Sequence, residues 1–168
     1  MQQVLERPLS VRGDIEIRVI HAASGELVRR LEIRNLILTN GLSFMGQLLA
    51  GSYTPVATAT KHLGEIHVGT GTTAPTVSDT DLQTNPGGSV VAVPVTVSVA
   101  TVSNTVEVKS TGQLTTLQAN GYVISEAGLY SVDVALANPS IVARQVFPGI
   151  TKTSALAIAF DWRITFTA

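Results

Sequence analysis

The feature that most constrains the fold is an alternation of large apolar residues near the end of the chain. Small or polar residues occupy the positions between them, and this period of two indicates a strand with one buried face. Burying six such side chains contributes on the order of 10 kcal/mol of transfer free energy, so we expect this strand at the centre of a sheet. The predicted core residues are Leu156, Ile158, Phe160, Trp162, Ile164 and Phe166.

Shorter runs of the same alternation predict a mainly β protein. A hairpin is expected over residues 11–34, and Pro94 within the alternating run 91–99 indicates an edge strand, because proline cannot donate to a ladder. One short helix is expected over about residues 40–50, where apolar residues recur at helical spacing. Roughly eight strands with one helix predict a β-sandwich or jelly-roll-like fold. We expect a single domain, 1–168, with the hairpin and the helix as accessory elements.

The composition excludes several classes of function. The chain has no cysteine, which removes disulfide frameworks, thiolate metal sites and thiol nucleophiles. Its 11 basic and 12 acidic residues give a formal net charge of -1, and basic and acidic residues are interleaved in the first 34 positions. A nucleic acid or an anionic membrane needs a basic patch of one sign, so we expect neither as a partner. No apolar run is long enough for a membrane helix.

A long uncharged stretch predicts contact with other subunits. Charged residues make up only 14% of the chain, against about 25% in typical domains, and none lies between residues 35 and 60. Because a solvated loop seldom lacks charge over such a length, we expect a homo-oligomer of closed symmetry, such as a trimer. The candidate interface residues are Leu42, Met45, Leu49, Tyr53 and Val56, and Tyr122 and Tyr130 are further candidates for surface contacts.

Two patterns resemble chemical sites, but a structural role fits each of them better. The glycine-rich loop 69–73 lacks the Gly-Lys-Ser/Thr ending and the helix of a phosphate loop, so it predicts a tight turn. His62 and His67 stand five apart on a predicted strand and would face opposite sides of it, which is wrong for a shared metal ion. No Gly-x-Ser-x-Gly nucleophile motif occurs. We therefore expect no catalytic, cofactor-binding or metal-binding residue and no enzyme.

Glu126 is the carboxylate with the most unusual surroundings, because apolar strand-forming residues flank it. A half-buried carboxylate needs a compensating donor. Arg144 is the first candidate, since its strand follows shortly in sequence and consecutive strands tend to pair, and Arg163 is the reserve. We predict a structural ion pair between Glu126 and Arg144 rather than an acid or base in catalysis.

Six motifs follow one another along nearly the whole chain. They are NLILTNG at 35–41, IHVGTGTTAP at 66–75, SDTDL at 78–82, ISEAGLY at 124–130, ARQVFPGITKT at 143–153 and FDWRI at 160–164. In this order they resemble a group of small structural proteins of tailed bacteriophages, which are variously labelled virion, head-decoration or tail-fibre-associated proteins. That group offers no catalytic residue to carry over to this chain.

The resemblance implies a non-enzymatic virion protein without a cofactor. We expect synthesis in the host cytoplasm, because no signal peptide opens the chain. The first expectation is a capsid decoration or cement protein that stabilises the capsid lattice, with virion proteins such as the major capsid or tail proteins as partners. The alternative is a tail, collar or baseplate accessory protein that attaches or forms part of a fibre. A tail-associated hydrolase is a remote alternative, because no catalytic constellation is evident.

Overall fold

The computed structural model describes residues 9–49, 61–133 and 139–168, which contain nine strands and one α-helix. A 3₁₀ turn, Pro86–Gly88, lies between the third and fourth strands. The elements are β1 (Ser10–His21), β2 (Leu27–Ile37), α1 (Thr39–Leu49), β3 (His62–Gly69), β4 (Val91–Pro94), β5 (Thr96–Val102), β6 (Thr105–Leu114), β7 (Val123–Val132), β8 (Ser140–Thr151) and β9 (Leu156–Thr167).

The strands form one antiparallel sheet in the order β4-β3-β7-β8-β2-β1-β9-β6-β5. The sheet has two halves, β4-β3-β7-β8 and β2-β1-β9-β6-β5, which are joined where β2 pairs with β8 over only two residue pairs. Because this ladder is so short, the two halves can face each other. The two edge strands, β4 and β5, are consecutive in sequence, and Val95 alone connects them. The Val95 N–H donates to the Gly64 carbonyl over 3.0 Å and so continues the β3–β4 ladder. Strand β4 also contacts β6, so the sheet is nearly closed. The predicted mainly β fold with one short helix is confirmed.

The core lies between the two halves of the sheet. Strand β9 runs between β1 and β6, and its Ile158, Phe160 and Trp162 are completely buried, while Leu156 and Phe166 near its ends are half-buried. The central position that the alternation predicts for this strand is the one observed. Apolar residues from β3, β7 and β8 face it across the core.

The outer face of the sheet, on the side of β1, β2, β6 and β9 away from the core, carries a network of ion pairs. Strands β1 and β2 pair antiparallel, and ten charged side chains of β1, β2, β6 and β9 form ion pairs with one another. Burial would raise the pKa of Glu16, but the hydrogen bond from Arg163 and the charges of Arg30 and Arg18 outweigh it and hold that pKa below its usual value. The interleaved signs therefore produce paired charges rather than a basic patch.

Helix α1 packs its Phe44 into the core and lies against β8. Met45 is half-buried and also faces the core, so this predicted interface residue is mainly a packing residue, because the helix turns this side toward the sheet. Leu42 is 53% exposed, and Leu48, further along the helix, is 46% exposed. The side chain of Leu49 and the whole of Tyr53 and Val56 lie outside the described residues.

Candidate functional site

The glycine-rich loop after β3 folds over a carboxylate of the chain itself. The Gly71 N–H donates to Glu126 Oε1 over 2.9 Å. A Cβ at either Gly69 or Gly71 would lie 2.4 Å from the same oxygen, so both positions require glycine to let the carboxylate approach. The loop is packed tightly, as expected, and it lies directly against the Glu126 carboxylate.

Glu126 is fully buried and accepts five hydrogen bonds, which occupy both carboxylate oxygens. Oε1 receives the N–H groups of Gly71 and Thr84, each over 2.9 Å. Oε2 receives the Gln83 N–H over 3.1 Å and two guanidinium N–H groups of Arg144. Charge-assisted hydrogen bonds of this kind are roughly twice as strong as neutral ones, which compensates the burial of the charge.

Arg144 is the main partner of this carboxylate, as the sequence predicts. Its Nη2 and Nε lie 2.7 and 2.9 Å from Glu126 Oε2, and its Nη1 donates to Asp79 Oδ2 over 2.8 Å. Nη2 also donates to the Thr73 carbonyl over 3.2 Å. The arginine is only 3% exposed. The reserve candidate Arg163 lies on the outer face with Glu16 and Glu107 and is not part of this cluster.

Strand register brings the two residues together. Strands β7 and β8 pair antiparallel, with Glu126 opposite Val146 and Gly128 opposite Arg144. Glu126 and Arg144 are therefore diagonal neighbours on one face of the sheet, within reach of long side chains. The face is the one covered by the loop that connects β3 to β4, so the ion pair forms under that loop.

Asp79 completes the cluster, although the sequence does not predict its bond to Arg144. Burial would raise its pKa, but hydrogen bonds from Thr76 and Arg144 outweigh this and hold the pKa of Asp79 below its usual value. Burial would lower the pKa of Arg144, but its bonds to Glu126 and Asp79 raise it. In the sequence, a carboxylate near Pro75 and Thr76 indicates only a turn. The contact between Asp79 and Arg144 spans 65 residues, so no local pattern predicts it.

A second polar group lies beside the cluster, around Tyr130. This tyrosine is 2% exposed, so the expectation of a surface contact is wrong: its strand is covered by the loop on this face. The Tyr130 hydroxyl donates to Asp81 Oδ1, its ring stacks on His67, and burial and the Asp81 bond raise its pKa. His67 is buried with Nε2 2.8 Å from Glu65 Oε2, whereas His62 is exposed. Tyr122 is partly exposed, at 39%.

Lys152 is a buried charge that sequence reasoning missed. It is fully buried, and its Nζ donates to Asn120 Oδ1 and to the Thr153 carbonyl, each over 2.9 Å. Burial lowers its pKa. Its backbone N–H also donates to the Tyr122 carbonyl, so the residue fastens the loop that precedes β7 onto the turn that precedes β9.

The cluster is paired within the protein, as in a structural ion pair. Both oxygens of Glu126 and the guanidinium of Arg144 are occupied by protein donors and acceptors. The described residues that line the neighbouring groove, of about 740 Å³, are all uncharged. Within residues 9–49, 61–133 and 139–168, no three His, Asp or Glu side chains are placed to hold a metal ion. The same ranges contain no helix that is long and apolar enough to cross a membrane.

No protein-family model, curated protein or solved structure matches this chain. The resemblance to bacteriophage structural proteins therefore stays a hypothesis that rests on the motifs of the sequence.

Proposed function

We propose that the protein is a non-enzymatic structural component of a tailed-bacteriophage virion. In this proposal it binds and stabilises the capsid lattice as a homo-oligomer, with the major capsid protein as its neighbour. The observation that carries the proposal is the internal saturation of the Glu126 carboxylate, the best candidate in the chain for acid or base chemistry. Its five bonds fasten the loop between β3 and β4 to the sheet and leave no lone pair directed at a substrate.

The distribution of surface character supports a role in assembly. Five basic and five acidic side chains of the outer face are paired with one another, so these charges offer no field of one sign to a nucleic acid. Large apolar side chains are exposed elsewhere, on α1 and on β5, where Leu42, Leu48, Val99 and Val102 are at least 46% exposed. Exposed apolar surface of this kind is typical of protein interfaces.

Copy number on the particle tests the proposal. We would purify particles of the phage that encodes the chain and measure its amount relative to the major capsid protein by quantitative mass spectrometry. A ratio on the order of one copy per few capsid subunits is expected, and recombinant protein added to particles that lack it should raise the temperature at which they release DNA. A few copies per particle would assign the protein to the tail, collar or baseplate instead, and its absence from purified particles would refute a virion role.

A matched pair of variants tests the surface that binds the particle. Leu42→Glu places a charge on the exposed face of α1, whereas Leu117→Glu places it on a loop residue that is 87% exposed. We expect Leu42→Glu to lower occupancy on the particle and Leu117→Glu to leave it unchanged. Equal occupancy of both variants would show that α1 does not contact the capsid.

A further inference from the structure

Strand β5 is an exposed edge of the sheet. It stands last in the strand order, and its ladder partner among the described strands is β6. Every residue of β5 is exposed, including Val99 at 66% and Val102 at 72%. An edge of this kind presents a row of backbone N–H and C=O groups without ladder partners, which is a template for pairing with another extended segment.

The register of the hairpin shows which groups are free. A two-residue turn, Ser103 and Asn104, joins β5 to β6 with Val102 opposite Thr105. That closing pair exchanges hydrogen bonds, and bonding alternates along an antiparallel ladder. The N–H and C=O groups of Val97, Val99 and Thr101 therefore point away from β6.

The two edges of the sheet differ in how they are protected. Strand β4 has only four residues, ends in Pro94 and lies close to β6 through the near-closure of the sheet. Strand β5 has seven residues with no proline, no charge and no register shift. Natural proteins protect exposed edges with short strands, prolines, charged side chains or bulges. A long edge that has none of these is suited to pairing with another strand.

The character of the edge points to a second copy of the same chain as the partner. No charged residue occurs from Leu82 to Val106, so a charged peptide would find no counter-charge there. An antiparallel edge can pair with its own copy across a two-fold axis, and the identical neutral strands place no like charges opposite each other. With the axis at Val99, this valine faces its own equivalent and Val97 faces the equivalent of Thr101.

We infer that β5 pairs antiparallel with β5 of a second copy across a two-fold axis, forming a continuous sheet through two protomers. The inference deepens the homo-oligomer part of the proposed function and rests on it. Beside this edge lies an apolar cavity of about 250 Å³ whose lining includes Val97 and Leu48, so the apolar surface continues from the strand to α1. A three-fold ring could not use this self-pairing, because it needs β5 to pair with a different segment of the next copy.

Sedimentation equilibrium of the full-length chain, from about 1 to about 100 µM, tests this pairing. Val99→Lys places a charge at the centre of the edge, and Thr101→Pro removes an outward N–H without touching the β6 ladder. Val28→Lys is the matched control, because Val28 is a 56% exposed strand valine on β2 and three strands separate β2 from β5 in the sheet. We expect a dimer whose dissociation constant rises at least tenfold in both edge variants and stays unchanged in the control.

Three outcomes would overturn the inference. They are a monomer at all concentrations, a trimer, and a dimer that both edge variants leave intact. A circular-dichroism melt of each variant shows whether it has folded, and if the lysine variant fails to fold the proline variant still decides. The virion role is judged separately from occupancy on particles, so an intact oligomer with unaffected edge variants would refute the β5 pairing and leave that role standing.

Discussion

Replacing Glu126 with glutamine tests the claim that this carboxylate fastens the loop between β3 and β4. Glutamine has nearly the same shape but replaces one acceptor oxygen with an amide donor. If the NH₂ group takes the place of Oε1, the N–H groups of Gly71 and Thr84 lose their acceptor. If it takes the place of Oε2, Gln83 and Arg144 lose theirs. At least two buried donors are left unsatisfied in either orientation.

The expected loss follows from those donors. Each unsatisfied buried donor costs about 1–3 kcal/mol, and the guanidinium keeps only Asp79 as a charged partner at 2.8 Å. The sum agrees with the roughly 3–5 kcal/mol typical of breaking a buried ion pair, so we predict that loss in the free energy of unfolding. A typical domain has about 5–15 kcal/mol in all, so the variant should still fold.

Urea denaturation followed by tryptophan fluorescence measures this loss, because Trp162 is the only tryptophan and is fully buried. With a slope of about 2 kcal/mol per molar, the midpoint should fall by about 2 M. Glu107→Gln is the control: the side chain of Glu107 is 39% exposed and lies 4.0 Å from Arg163, so its loss should cost less than about 1 kcal/mol.

A double-mutant cycle with Arg144→Met gives the decisive result. Removing both partners should cost less than the sum of the two single changes, by about 0.5–3 kcal/mol, because neither the Glu126 carboxylate nor the Arg144 guanidinium is then left buried without the other. Additive losses, or a Glu126→Gln loss as small as that of Glu107→Gln, would refute the fastening role and reopen Glu126 as a site carboxylate.

Three further perturbations follow from the same structure. Trp162→Ala should lower the unfolding free energy by about 3–5 kcal/mol in chemical denaturation, and a melting temperature within a degree or two of the parent would contradict its burial. Gly71→Ala forces a Cβ to 2.4 Å from the Glu126 carboxylate and should destabilise, whereas Gly46→Ala on α1 meets open space and should stabilise by up to about 1 kcal/mol; equal melting temperatures would refute the tight cradle. Burial lowers the pKa of Lys152, so the unfolded chain binds this proton more tightly and stability should rise as the pH approaches about 10.4; Lys152→Met should flatten that rise, and an unchanged pH profile would contradict it.

The sequence determined the features that depend on local periodicity. Alternation along β9 reports which face of that strand is apolar, and a strand with six large residues on one face is stable only where a core covers them. The pairing of Glu126 with Arg144 was also accessible, because a carboxylate among apolar residues must find a donor and the next strand in sequence carries one.

The split of the run 91–99 was decided by the tertiary structure. The alternation predicts one strand, but the chain crosses at Val95 from one edge of the sheet to the other, because the two halves approach each other there. The tertiary structure likewise decided which side of α1 faces inward. The helix carries apolar residues on more than one side, and the position of β8 selects Phe44 and Met45 for the core.

The loop over Glu126 is the clearest case of a feature that only the fold reveals. Gly71, Asp79 and Thr84 lie at least 42 residues from the residues they bind, and nothing in a linear pattern specifies such distances. Periodicity reports which way a side chain faces within its own element. Which elements meet depends on how the whole sheet curves and closes, because the buried area that stabilises one arrangement is shared by residues far apart in the chain.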